Sequence, residues 1–126
     1  MTVAGLAFLK GELLSLGIPY EFMEWTLHPV PKTYWVGEYS EVAPVDEDGL
    51  FESTFLLTGT TKGKYLSLEI VKEQIRNHFP EYGLTEILPN GWGIAVMFET
   101  SFPVPAVEEG VHRMQITLRV KEWKGE

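Results

Sequence analysis

The chain has no cysteine. That excludes disulfide bridges, a thiol nucleophile and Cys-ligated zinc, but it does not fix a compartment, because many cytosolic proteins also lack cysteine. Basic residues are scarce: 10 Lys and Arg stand against 18 Asp and Glu, a formal net charge of −8. Such a balance disfavours tight, sequence-independent binding of nucleic acid, which needs a cationic face to displace counterions. It does not forbid a surface past which DNA slides without sticking. Long apolar runs are missing too, and no stretch approaches the ~18–20 apolar residues of a membrane span. The first segment, MTVAGLAFLKGELLSLG, has no basic start and is interrupted by Lys10 and Glu12. No secretion signal is expected, and the expected location is the cytoplasm.

What remains is an ordinary globular composition. Hydrophobic residues make up 44% of the 126 positions and charged residues 22%. That length and that balance suit one domain, residues 1–126, with a core of its own.

Periodicity predicts the elements. Thr2 to Leu16 reads as a helix, with Val3, Leu6, Leu9, Leu13 and Leu16 on one face, Thr2 as cap and Gly17 as stop. Tyr20 to Leu27 alternates as a short strand, and HPVPK (residues 28–32) connects it onward. Thr33 to Val42 and Leu50 to Thr61 read as strands joined through a turn ending in Asp48-Gly49, with Gly supplying a positive φ. Tyr65 to Phe79 is a second helix, with Leu68, Val71, Ile75 and Phe79 on one face and Pro80 closing it. Leu84 to Leu88 pairs through Pro89-Asn90-Gly91 with a strand from Trp92 to about Val104, Asn90-Gly91 reading as a two-residue hairpin turn. His112 to Trp123 is the clearest strand: Met114, Ile116, Leu118 and Val120 alternate with Arg113, Gln115, Thr117, Arg119 and Lys121. The order α-β-β-β-α-β-β-β predicts an α+β fold, two helices packed on one face of a mainly antiparallel sheet.

Several motifs invite chemistry. LLTGTTKGKY, residues 56–65, has the strand–glycine–lysine–helix layout of a phosphate-binding loop. Only three residues separate Gly59 from Gly63, where the motif needs four, and Tyr65 replaces the magnesium-binding hydroxyl. The shortened amide cradle reads as a structural turn. Asp46-Glu47-Asp48-Gly49 is out of register for a calcium loop, with Pro44 at the first ligand position and Phe55 where a bidentate Glu belongs. His28, His78 and His112 are scattered and lack zinc-ligand spacing. No Gly-x-Ser-x-Gly elbow is present. Glu38, Glu41, Glu52 and Glu99 read as a solvated face. Neither an enzyme, a cofactor nor a metal is expected.

Two features stand out from plain surface. One is the basic row Arg113, Arg119 and Lys121 in an acidic chain. The other is the strand aromatics Trp35, Tyr39, Trp92 and Trp123. Aromatics and arginine are enriched at protein interfaces. The expected subunit interface combines Arg113, Arg119 and Lys121 with the acidic Glu38 and Glu41, the Asp46–Asp48 region, and Trp35 and Tyr39 as anchors.

The stretches YWVGEYSEV, GLFESTFLLTGTTKGKY with the helix after it, and ITLRVKEWK resemble a group of small tail proteins of long-tailed phages and prophages of Gram-positive bacteria. These are the tail terminator proteins, also called tail completion, tail-to-head joining or minor capsid proteins. The resemblance runs from about Leu6 to Lys124 and rests on element order and phrasing. It implies an α+β subunit that forms a hexameric ring on the tail tube, ends tube polymerisation and meets the head connector. DNA would pass through the lumen without specific binding. The implied locations are the host cytoplasm during assembly and then the virion, with no cofactor and no membrane. The partners implied are the tail tube protein and the neck proteins. Another neck or connector component is the runner-up of the same class. A small prophage-encoded enzyme or nucleotide-binding regulator is the alternative from a different class.

Overall fold

The computed structural model describes residues 1–41, 49–106 and 108–125. Two helices and six strands follow in the order α1 (Val3–Ser15), β1 (Tyr20–Phe22), β2 (Thr33–Glu41), β3 (Leu50–Thr61), α2 (Leu66–His78), β4 (Leu84–Ile87), β5 (Gly93–Val104), β6 (His112–Trp123). The strands make one sheet in the order β1-β2-β3-β6-β5-β4. The fold is α+β. Every pairing is antiparallel except β1 with β2, which is parallel.

Both helices lie on one face of the sheet. Their buried residues, Gly5, Leu9 and Leu13 from α1 and Leu68 and Ile75 from α2, meet the inward row of each strand. That row is Trp35 on β2, Phe55 and Leu57 on β3, Met114, Ile116, Leu118 and Val120 on β6, and Ile94, Val96 and Phe98 on β5. Alternation of side chains along each strand places these on one face and their neighbours on the other.

The N-terminus of α1 is fixed to the last strand. Thr2 caps the helix by accepting a hydrogen bond from the Gly5 amide, 2.9 Å. The Thr2 amide and hydroxyl in turn donate to the carboxylate of Glu122, a residue with no exposed surface. A carboxylate at a helix N-terminus is favoured by the orphan amides and the dipole there. The Met1 ammonium pairs with Glu41 at 2.9 Å. An added Cβ on Gly5 would come 2.6 Å from the Glu122 carboxylate, so the helix approaches this closely only with glycine there.

Three expectations change. The first strand ends at Phe22 rather than Leu27, because Met23 takes a positive φ of 71° and turns the chain away. The connection before β5 is a three-residue loop rather than a two-residue turn. The Gly91 amide donates to Leu88 O, Gly91 has φ +88°, and the Leu88 amide reaches Trp92 O. Val3 is 85% exposed, since the buried stripe of α1 centres on Gly5, Leu9 and Leu13. Val42 and Asp46–Asp48 lie outside the described residues.

Candidate interaction surface

The helices cover one face only. The opposite face carries Tyr34, Val36 and Glu38 from β2, and Thr54, Leu56, Thr58 and Thr60 from β3. Arg113, Gln115, Thr117, Arg119 and Lys121 stand there on β6, with Met97, Glu99 and Phe102 on β5. No element packs over it among the described residues.

One margin of this face is a groove of about 440 Å³, lined by Met23, Glu24, Trp25, Tyr34, Val36, Glu38, Thr58 and Thr60. Its outer wall, Met23 to Trp25, belongs to a turn held by the carboxylate of Glu21. Glu21 accepts from the Thr26 amide (2.9 Å), the Thr26 hydroxyl (2.5 Å) and the Leu27 amide (3.2 Å). The Thr26 hydroxyl bond, aided by the two amides, holds the Glu21 carboxyl below the usual carboxylate range. The same turn is closed by the Trp25 indole N–H donating to Leu27 O, 2.7 Å. It sets the Trp25 ring 5.3 Å from the Tyr34 ring. Glu24 and Glu38 flank this aromatic pair, and neither takes part in an ion pair among the described residues.

The basic row lies across β3 from the groove. Arg119 pairs with Glu99 at 2.9 Å and Lys121 with Glu52 at 3.5 Å. The bulge between Phe98 and Thr100 turns Glu99 toward Arg119. Arg113 has no ion-pair partner among the described residues. It shares a cross-strand row with Thr60 and Tyr34.

The structure thus distributes the expected interface residues differently from the sequence reading. Arg113, Arg119, Lys121 and Glu38 come together on the open face. Trp35 is corrected: it is wholly buried on the helix side and anchors the core instead of a neighbour. Gly59 makes room for it, since a Cβ there would meet the indole at 2.6 Å. Tyr39 and Glu41 also point to the helix side. Tyr39 stacks on Phe22 (6.1 Å), and Glu41 holds the Met1 ammonium. Trp92 stacks on Phe51, 5.8 Å between centroids, against the core. Sequence reasoning missed Glu24, Trp25 and Tyr34. Their only signal was an aromatic on each side of the His28–Lys32 connector, Trp25 before it and Tyr34 after it, because a positive φ at Met23 has no sequence mark.

The glycine–lysine corner directs its amides at its own chain. The Lys62 amide donates to Lys32 O and the Gly63 amide to the Thr61 hydroxyl, each at 3.0 Å. Thr61 also bonds the Thr33 hydroxyl at 2.7 Å. The strand before this corner pairs antiparallel on both sides, unlike the parallel strand that precedes a phosphate-binding loop. Among the described residues no group of three or more His, Asp or Glu gathers as metal ligands. No helix there is long and apolar enough to cross a membrane. No protein-family model matches the chain, and a search of curated proteins finds no match.

Proposed function

We propose that this chain is a structural virion protein: a subunit of a ring that caps a phage tail tube, ends tube polymerisation and joins the tail to the head connector. The observation that carries the reading is the uncovered face of a six-stranded sheet, bearing side chains of both charge signs. Antiparallel sheets commonly leave one face in water, so the reading rests on what this face carries: Tyr34, Trp25 and Arg113, side-chain types that are enriched where proteins meet. Ring assembly uses two different surfaces of each subunit. The acidic groove margin and the basic β6 row are of opposite sign and separated by β3, so they can meet between subunits. The resemblance of the β2, β3 and β6 sequences to tail terminator proteins supports the same reading. An overall charge of −8 suits a lumen that lets DNA slide.

The test is to mix the purified protein with tail tubes polymerised from the cognate tube protein. Capped ends of uniform length and six-fold end views in negative stain are expected. The reversal Arg113→Glu with Arg119→Glu should abolish capping. Normal capping by that double variant, or saturable ATP binding lost in Lys64→Ala, would overturn the proposal.

A further inference from the structure

We infer that two copies of this chain pack open face to open face about a two-fold axis running along β3. The charge pattern across the face carries this. The acidic, aromatic groove of Glu24, Trp25, Tyr34 and Glu38 lies on one side of β3 and the basic row of β6 on the other. Between β2 and β6 runs β3, whose Thr54, Leu56, Thr58 and Thr60 are uncharged on this face. A face that is acidic on one side of a line and basic on the other is complementary to itself turned about that line.

The sheet order fixes what meets what. β2 and β6 flank β3, so the axis lays β2 of each copy over β6 of the other. Tyr34 and Arg113 share the row of Thr60, so the second copy's Arg113 arrives over Tyr34. There the Trp25–Tyr34 ring pair offers cation–π contact and Glu24, which has no ion pair among the described residues, offers a carboxylate, while Glu38, two rows along β2, falls opposite the second copy's Thr117. The same turn brings the second copy's Phe102, 47% exposed, over the margin that carries Met23, 60% exposed. Both apolar side chains are then covered. The small, flat threonines of β3 allow the close approach that packed sheets need. Four strands by seven residues make a patch of roughly 19 by 23 Å. That is small for a stable interface, so the pair forms and parts reversibly.

This goes beyond the tail-capping reading and does not rest on it. The open face cannot serve a ring neighbour and a second copy at once, so the pair must part before a subunit takes its place on a tail.

The experiment uses the purified chain alone. Sedimentation velocity across micromolar concentrations should show a monomer–dimer equilibrium that weakens with salt. Arg113→Glu should weaken it by about a hundredfold, as should the double variant Glu24→Lys with Glu38→Lys. Mixing those two variants should restore a heterodimer, because each groove then meets a side chain of opposite sign. In this cysteine-free chain, Thr58→Cys beside the axis should form a disulfide-linked dimer on oxidation, and Gln74→Cys on α2 should not. A monomer at every concentration would overturn the inference. So would a dimer that ignores the charge variants or cross-links through Gln74→Cys rather than Thr58→Cys.

Discussion

On β6, Met114, Ile116, Leu118 and Val120 are buried under the helices, while Arg113, Gln115, Thr117 and Arg119 stand between them on the uncovered side. β2 makes the same division between Trp35 and its neighbours Tyr34 and Val36. One face is thus closed by packing within the chain, and the other is uncovered among the described residues, where the proposals above place contacts between chains. Stability should depend on the first and association on the second. Substitutions one residue apart on a strand separate the two.

The largest effect is expected at Trp35. The side chain has no exposed surface and rests on Gly59. Trp35→Ala should cost about 3–5 kcal/mol, the usual cost of emptying a large aromatic site. Urea unfolding of that variant beside Tyr34→Ala, which alters only the open face, measures the contrast. Equal losses in the two would remove the distinction between the faces.

Glu122 comes next, because it joins the covered face to α1. Glu122→Ala leaves the Thr2 amide and hydroxyl without their acceptor in a buried place. The expected cost is about 1–3 kcal/mol. Hydrogen exchange should show the loss concentrated in the first turns of α1, with the β3 and β6 amides still protected. Uniform deprotection would mean that the helix and sheet open as one unit.

How far the sequence announced these parts follows from the same division. β3 and β6 were legible to the residue: β6 by the strict alternation that a sheet covered on one side requires, and β3 by Asp48-Gly49 ahead of it and the glycine corner after it. The helices were legible as elements, but the stripe of α1 was not. Its centre falls on Gly5, chosen by the approach of Glu122 from 117 positions away. Trp35 was misread because β2 offers an aromatic to each face, Tyr34 to one and Trp35 to the other. The deciding feature is the space above Gly59 on the neighbouring strand, which no local pattern shows. The groove depends on a turn at Met23 and on a parallel pairing of β1, and both are fixed by tertiary contacts.

A pH titration sharpens the comparison at the β1 margin. Tyr20 is 4% exposed on the covered face, and burial pushes its hydroxyl up to about 12 from 10.0. The folded state then holds this proton more tightly than the unfolded chain. The stabilisation is complete below pH 10, and it is lost as pH rises toward the folded value of about 12. Thermal melts of the wild-type chain should fall across that window more steeply than those of Tyr20→Phe. Parallel curves would show that the Tyr20 hydroxyl titrates in water.

The smallest effect on stability is expected on the open face itself. Thr117 is partly exposed, faces away from both helices and shares a row with Leu56 and Glu38. Thr117→Lys adds charge without emptying the core, so unfolding in urea should shift by no more than about 0.5 kcal/mol. Its effect should appear only where chains meet. The lysine places a cation on β6 between Arg113 and Arg119, directly across the proposed axis from the second copy's Glu38. Sedimentation should therefore show association altered in a protein of unchanged stability. A variant that loses stability instead would mean that the open face contributes to folding as the covered face does. The division of labour between alternate residues of the same strands would then fail at the strand where it is drawn most sharply.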